Sequence, residues 1–210
     1  ISVPAANLDF PLEWQVSQRN AQEWAEIKVA GTVPTNANLV EAKAELGAGL
    51  RGKATDWMMV AQGAQLNDGK FSDRLKLATG GWYTIKVRFR KSAGDPLVLG
   101  EAAVEHVGVG DVFVVAGQSN SSNHGQEKQI TMTGLVAAFD GKHWQLANDP
   151  QPGASGDAGS FMPPFGDAIA AKFQVPVGII ACGIGATSVR EWLPKGVTFP
   201  NPPTLEGRVR

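Results

Sequence analysis

The sequence predicts an antiparallel β-sandwich over residues 1–107, followed over residues 108–210 by the first part of an α/β domain with a parallel sheet. Three observations carry that prediction. Apolar and polar residues alternate with period two through the first half, which puts one face of each strand on a core and the other in water. Turn-forming residues recur between the alternating segments. In the second half, alternation gives way to two continuous apolar runs with a helical pattern between them.

The strands follow in order. Ala25, Ile27 and Val29 are interleaved with Glu26 and Lys28, and Val40, Ala42, Ala44 and Leu46 with Glu41, Lys43 and Glu45. The clearest case sets Ile85, Val87 and Phe89 against Thr84, Lys86, Arg88 and Arg90. Turns are expected at Gly31, Pro34-Thr35-Asn36, Asn67-Asp68-Gly69, Gly80-Gly81 and Gly94-Asp95-Pro96. Many short strands at such spacing indicate a sandwich. Beyond Gly108-Val109-Gly110 the run Val112 to Ala116 reads as a fully buried strand. Pro163 to Phe173 reads as a helix with Ala168, Ile169 and Phe173 on its apolar side, and Val177 to Cys182 as a second buried strand. Strand, crossover, helix and strand make a βαβ unit. Two strands are too few for a parallel sheet, so more of the sheet is expected than these elements supply.

Composition narrows the function. Apolar residues make up 43%, enough for real cores, and the net charge of -1 gives no electrostatic footprint for nucleic acid or an anionic membrane. No apolar run approaches the 18 residues or so of a membrane span. The three histidines are scattered and cysteine occurs once, so neither a metal site nor a cofactor is expected. Cys182, inside an apolar run, is expected as a buried small hydrophobe. The chain starts at Ile1 and not at Met, which suits a processed, secreted or periplasmic protein.

The most informative stretch runs from Asp111 to Asn120, where an apolar strand stops abruptly at Gly117-Gln118-Ser119-Asn120. It delivers a serine to the carboxyl end of a strand, where open α/β sheets bind ligands. Such a serine is either a nucleophile or the cap of a following helix. Gly117-Gln118-Ser119-Asn120 after a strand resembles the first block of the SGNH (GDSL-like) hydrolases, in particular the sialate O-acetylesterase and acetylxylan-esterase branch. Ala181-Cys182-Gly183-Ile184-Gly185-Ala186-Thr187-Ser188-Val189, with Trp192 after it, resembles that branch's second block; the family commonly has Gly-Gly-Thr where this chain has Gly185-Ala186-Thr187. Gln18-Arg19-Asn20 and Ile27 to Gly31 are similar to the β-sandwich that precedes the hydrolase domain in several bacterial members.

The resemblance implies a three-layer α/β/α hydrolase domain and a serine esterase that removes O-acetyl groups from a carbohydrate. Ser119 is then the nucleophile, and the amides of Ser119 and Gly185 are oxyanion donors, each worth about 3–4 kcal/mol in a protease precedent. Gly185 suits the role because no side chain obstructs the approach of an ester oxygen. Gln118 and Asn120 either hold the loop by side-chain hydrogen bonds or are ordinary turn residues. Thr187 and Trp192 follow the second strand and are candidates to line the pocket; Trp192 either stacks on a sugar face or belongs to the core. His124 is expected at the pocket rim.

The catalytic base is missing. The family takes its histidine from a late Asp-x-x-His block, and no histidine follows His143. The third block, with its Asn or Gln oxyanion donor, is absent as well. The Asp and His are therefore expected on a second polypeptide. The proline-rich stretch Pro200-Asn201-Pro202-Pro203 and the closing Leu205 to Arg210 suit a protease-sensitive surface loop. The competing reading is a non-catalytic carbohydrate-binding β-sandwich protein; a structural or adhesin module is a third.

Overall fold

A computed structural model describes residues 7–66 and 68–194. The expected turn residue Asn67 and the proline-rich stretch after Pro200 lie outside the described residues. Eight strands come first: β1 (Asn7–Phe10), β2 (Val16–Gln18), β3 (Trp24–Thr32), β4 (Leu39–Leu46), β5 (Met58–Gln62), β6 (Lys70–Ala78), β7 (Gly80–Arg90) and β8 (Gly100–Val115). Then follow β9 (Val136–Phe139), β10 (Trp144–Leu146), helix α1 (Met162–Phe173) and β11 (Val177–Ala181).

β1, β3 and β6 form an antiparallel sheet in that order. The other strands form one larger mixed sheet, ordered β10-β9-β11-β8-β7-β4-β5, with β2 also paired to β8. The period-two segments became β3, β4 and β7. Their apolar residues fill one core together with β6: Ile27 and Val29, Val40 and Ala42, Leu75 and Leu77, Ile85, Val87 and Phe89. Each such burial contributes roughly 1.5–3 kcal/mol, and that of the Ala42 methyl about 0.8 kcal/mol. Gly31 is not a turn residue. It lies inside β3, where a Cβ would come within 2.0 Å of the Asn7 carbonyl oxygen as β1 crosses it.

β8 serves both parts of the chain. Its first half pairs antiparallel with β7, and its second half pairs parallel with β11. The register shifts between Tyr83 and Ile85, opposite the segment of β8 that contains His106 at φ 55. An extra residue there bends and twists the strand, as β-bulges do. His106 stacks on Trp14 with ring centroids 3.8 Å apart, and the Trp82 indole donates to the Gly134 carbonyl at 2.9 Å. β8 passes through Gly108-Val109-Gly110 without a break. Glycine is required at Gly110 because a Cβ would lie 1.8 Å from the Pro176 carbonyl oxygen.

In the second half, β9 and β11 run parallel to each other, and β11 runs parallel to β8. Sequence reasoning missed β9, a short run with two alanines. Phe113 and Val115 turn toward α1, and Phe113 meets Phe165 edge-on at 5.1 Å. The opposite face differs from expectation: Val114 is 67% exposed, so β8 is not fully buried. Among the described residues, no strand pairs with β8 beyond Gly110 on the side away from β11, and the single helix covers one face. Gln18 Oε1 accepts from the Val112 amide at 2.7 Å on β8.

The helix also presents a different side. Its buried residues are Met162, Pro163, Gly166 and Ala170, whereas Ala168 and Phe173 are exposed and Ile169 is half-buried. Gly166 explains this, since a Cβ there would come within 2.4 Å of a Val136 methyl. Small residues let α1 sit close on β9, and the larger apolar residues are turned to its flank. No helix among the described residues is long and apolar enough to cross a membrane.

Candidate active site

The carboxyl ends of β8 and β11 are neighbours by register, with Val115 opposite Ala181. The turns that follow them are joined directly. The Ile184 amide donates to the Gly117 carbonyl at 2.9 Å, and Cys182 N donates to Val115 O at 3.0 Å. Gly183 is tightly enclosed, because a Cβ would sit 1.8 Å from the Ser121 carbonyl oxygen. Gly117 adopts φ 143, a conformation that favours glycine, and the chain then turns through one 3₁₀ turn, Ser119–Ser121. The two sequence blocks are thus held backbone to backbone.

Ser119 is half-buried, and its hydroxyl donates to the Gln118 side-chain carbonyl. Gln118 and Asn120 are exposed. Gln118 precedes the 3₁₀ turn, and its carbonyl accepts from Ser121 N at 2.7 Å. His124 is exposed, and its ring lies against the two glycines Gly156 and Gly185. A Cβ on Gly185 would fall 2.7 Å from Nε2, and one on Gly156 would fall 3.0 Å from Cε1. Cys182 is half-buried and not enclosed as expected; its Sγ lies 3.5 Å from Val115 O.

Thr187 is 9% exposed and fixes the end of the site. Its hydroxyl donates to Ile184 O at 2.7 Å and accepts from the Trp192 indole at 3.0 Å. Trp192, 37% exposed, closes the 3₁₀ turn Val189–Trp192 with its ring orientation set by that bond. Ala186, just before Thr187, adopts φ 60, a left-handed conformation that costs an L-residue roughly 1–2 kcal/mol.

A third segment, the loop Gly153 to Gly159, spans both blocks. Ser155 N donates to Gly183 O at 2.9 Å, and Ser155 Oγ accepts from the Gly185 amide at 2.8 Å. Asn123, fully buried at φ 56, anchors the loop from the other side. It donates to Gln151 O at 2.9 Å and accepts from Gln151 N at 2.9 Å, and its carbonyl accepts from Ala158 N at 2.9 Å. Asp149 accepts from Ser160 N and Oγ, both at 2.7 Å, fixing the loop's far end. Nothing in the sequence marks Ser155 beyond its place among glycines. Among the described residues, no group of three or more His, Cys, Asp or Glu is placed to hold a metal ion.

Two neighbouring strand ends, with a serine on one turn and a glycine-containing turn bonded to it, are an arrangement compatible with acyl transfer. Residues 109–202 match the family described as carbohydrate esterase, sialic acid-specific acetylesterase. This bears out the resemblance drawn from Gly117-Gln118-Ser119-Asn120 and the Gly183–Thr187 turn. No curated protein matches the chain. A solved structure, a carbohydrate acetylesterase from Xanthomonas citri, is similar over 90% of this chain at 20% identity and a TM-score of 0.48. This chain spans 43% of that one's length.

Proposed function

We infer, with the match of residues 109–202 to the sialic acid-specific acetylesterase family as premise, that this chain carries the nucleophile and half the oxyanion hole of a carbohydrate O-acetylesterase. Ser119 Oγ attacks the acetyl carbonyl carbon, and its proton passes to a base. The carbonyl oxygen becomes an oxyanion against the Ser119 and Gly185 amides. The bond to the sugar oxygen then breaks, that oxygen takes the proton, and an acetyl-serine remains. Water hydrolyses the acetyl-serine, releasing acetate and restoring the hydroxyl. Trp192, held by Thr187, offers a ring face for a sugar, while Gln118, Asn120 and His124 rim the pocket.

One observation carries this reading: the Gly183–Gly185 turn is bonded onto the turn bearing Ser119 through Ile184 N and Gly117 O. It brings a serine and a glycine amide, on different strands, to one sheet edge, where open α/β sheets act on ligands.

The base is supplied, in this reading, by further strands and helices that extend the sheet beyond these residues. Two features support it. Among the described residues no strand pairs with β8 beyond Gly110 on the side away from β11, and the Val114 side chain of β8 is bare. Phe161, Phe165, Ile169 and Phe173 recur every four residues along the flank of α1, all half-buried or exposed, with Phe165 against Phe113. A further strand and the helices of a three-layer domain would bury both. The first part of the chain is read as a β-sandwich that packs separately. Its core extends to Val109, and the second core takes residues from Phe113 onward.

A fluorophosphonate tests the reading. Mapped by mass spectrometry on the protein with its sheet complete, one adduct on Ser119 is expected. Labelling at another residue, or sugar binding without any labelling, contradicts it.

A further inference from the structure

The Gly185 amide, which the esterase reading needs as an oxyanion donor, is already engaged. Its hydrogen is held by Ser155 Oγ at 2.8 Å. A hydroxyl oxygen that accepts from an oxyanion donor stands in for the oxygen of the ester carbonyl. We propose that Ser155 is a positioning residue that fills the carbonyl-oxygen site while the pocket is empty and yields it when an ester or its acetate product binds. The proposal rests on the esterase reading and concerns the same site.

The Ser155 backbone is fixed while its side chain is free to turn. Its amide is tied to Gly183 O at 2.9 Å. Gly156 next to it is confined by Ser122 O, 2.5 Å from where a Cβ would go, and by the His124 ring. The side chain is exposed, and its hydroxyl holds no described partner other than Gly185. Rotation about one torsion therefore frees the Gly185 amide with no backbone movement, at the expense of one neutral hydrogen bond. With Ser155 in place, the amide stays satisfied, so the second block keeps its geometry between turnovers. Its rotation then makes room for the acyl oxygen.

The test uses acetate as probe and follows the Ser119 and Gly185 amides by ¹H–¹⁵N NMR, in the wild-type protein with its sheet complete and in the same protein carrying Ser155→Ala. Alanine leaves the loop's backbone bonds intact. In Ser155→Ala the Gly185 amide is expected to exchange with solvent faster, and acetate to bind roughly 2- to 10-fold more tightly, the weight of one such hydrogen bond. Ser155→Thr keeps the hydroxyl and is expected to keep wild-type affinity, which separates loss of the hydroxyl from loosening of the loop. Equal or weaker binding in Ser155→Ala, with both amides still shifting, overturns the role of Ser155 and leaves the esterase reading intact. If acetate moves neither amide in either protein, both fail.

Discussion

The imidazole of His124 occupies the space that a side chain on Gly185 would need: a Cβ there falls 2.7 Å from Nε2. The ring thereby shields the turn that offers the Gly185 amide. Gly183, two residues earlier, is confined differently, by the Ser121 backbone carbonyl at 1.8 Å. One neighbour is an exposed side chain that can swing away, and the other is backbone that cannot.

That difference predicts two unequal alanine variants. Gly185→Ala is expected to fold with a loss under about 1 kcal/mol and a displaced His124 ring, seen as a changed His124 Cε1–H resonance. Gly183→Ala forces the two blocks apart and is expected to lose at least about 3 kcal/mol, as severe overpacking does. At this chain length that is a fall in Tm of roughly 6–12 °C. Similar melting temperatures for the two would contradict the account of the turn.

Ala186 predicts a gain. Its φ of 60 is strained for alanine, and glycine removes roughly 1–2 kcal/mol of strain while adding about 0.4–1 kcal/mol of unfolded-state freedom. Ala186→Gly, which restores the Gly-Gly-Thr form common in the resembling family, should therefore be neutral or stabilising by up to about 1.6 kcal/mol. Thermal unfolding measures it, and a clear loss of stability would show that Ala186 is not strained.

Asp167 predicts an acid limit. Burial acts to raise its carboxyl pKa, but bonds from Met132 N at 2.7 Å, Thr133 Oγ1, Thr131 Oγ1 and Thr133 N outweigh it and hold the group below its usual 3.8. A depressed folded pKa means that its stabilisation is complete above the unfolded value, near pH 4, and is lost as pH falls through the lower folded value. Asp167→Asn should lower stability at pH 7 by about 2 kcal/mol, the scale of a hydrogen bond to a charged group, and flatten the acid side of the stability curve. An unchanged acid profile would show that these bonds contribute nothing net.

These predictions also mark how far the sequence could be read. The placement of Ser119 and Gly185 on turns after two strands was legible because an apolar strand that stops at a small polar turn looks alike in sequence and in space. β3, β4 and β7 were legible because one wet face enforces strict alternation. The buried side of α1 was not: close packing on Val136 selects Gly166 and Ala170, while Phe173, an obvious core candidate, ends on an exposed flank. Gly31 and Gly110 read as breaks, yet each sits mid-strand where another chain segment approaches too closely for any side chain. Ser155 carries no pattern at all, since its place depends on a loop anchored through Asn123, 32 positions earlier in the sequence.

The central claim is that Ser119 is the nucleophile, active once the sheet is completed. Hydrolysis of an aryl acetate by the assembled protein, wild type against Ser119→Ala, tests it most directly. The account predicts a fall in kcat of at least about 10³-fold, in line with loss of a nucleophile in serine hydrolases, with the variant's fold unchanged by circular dichroism. A Ser119→Ala protein that retains wild-type turnover would contradict it.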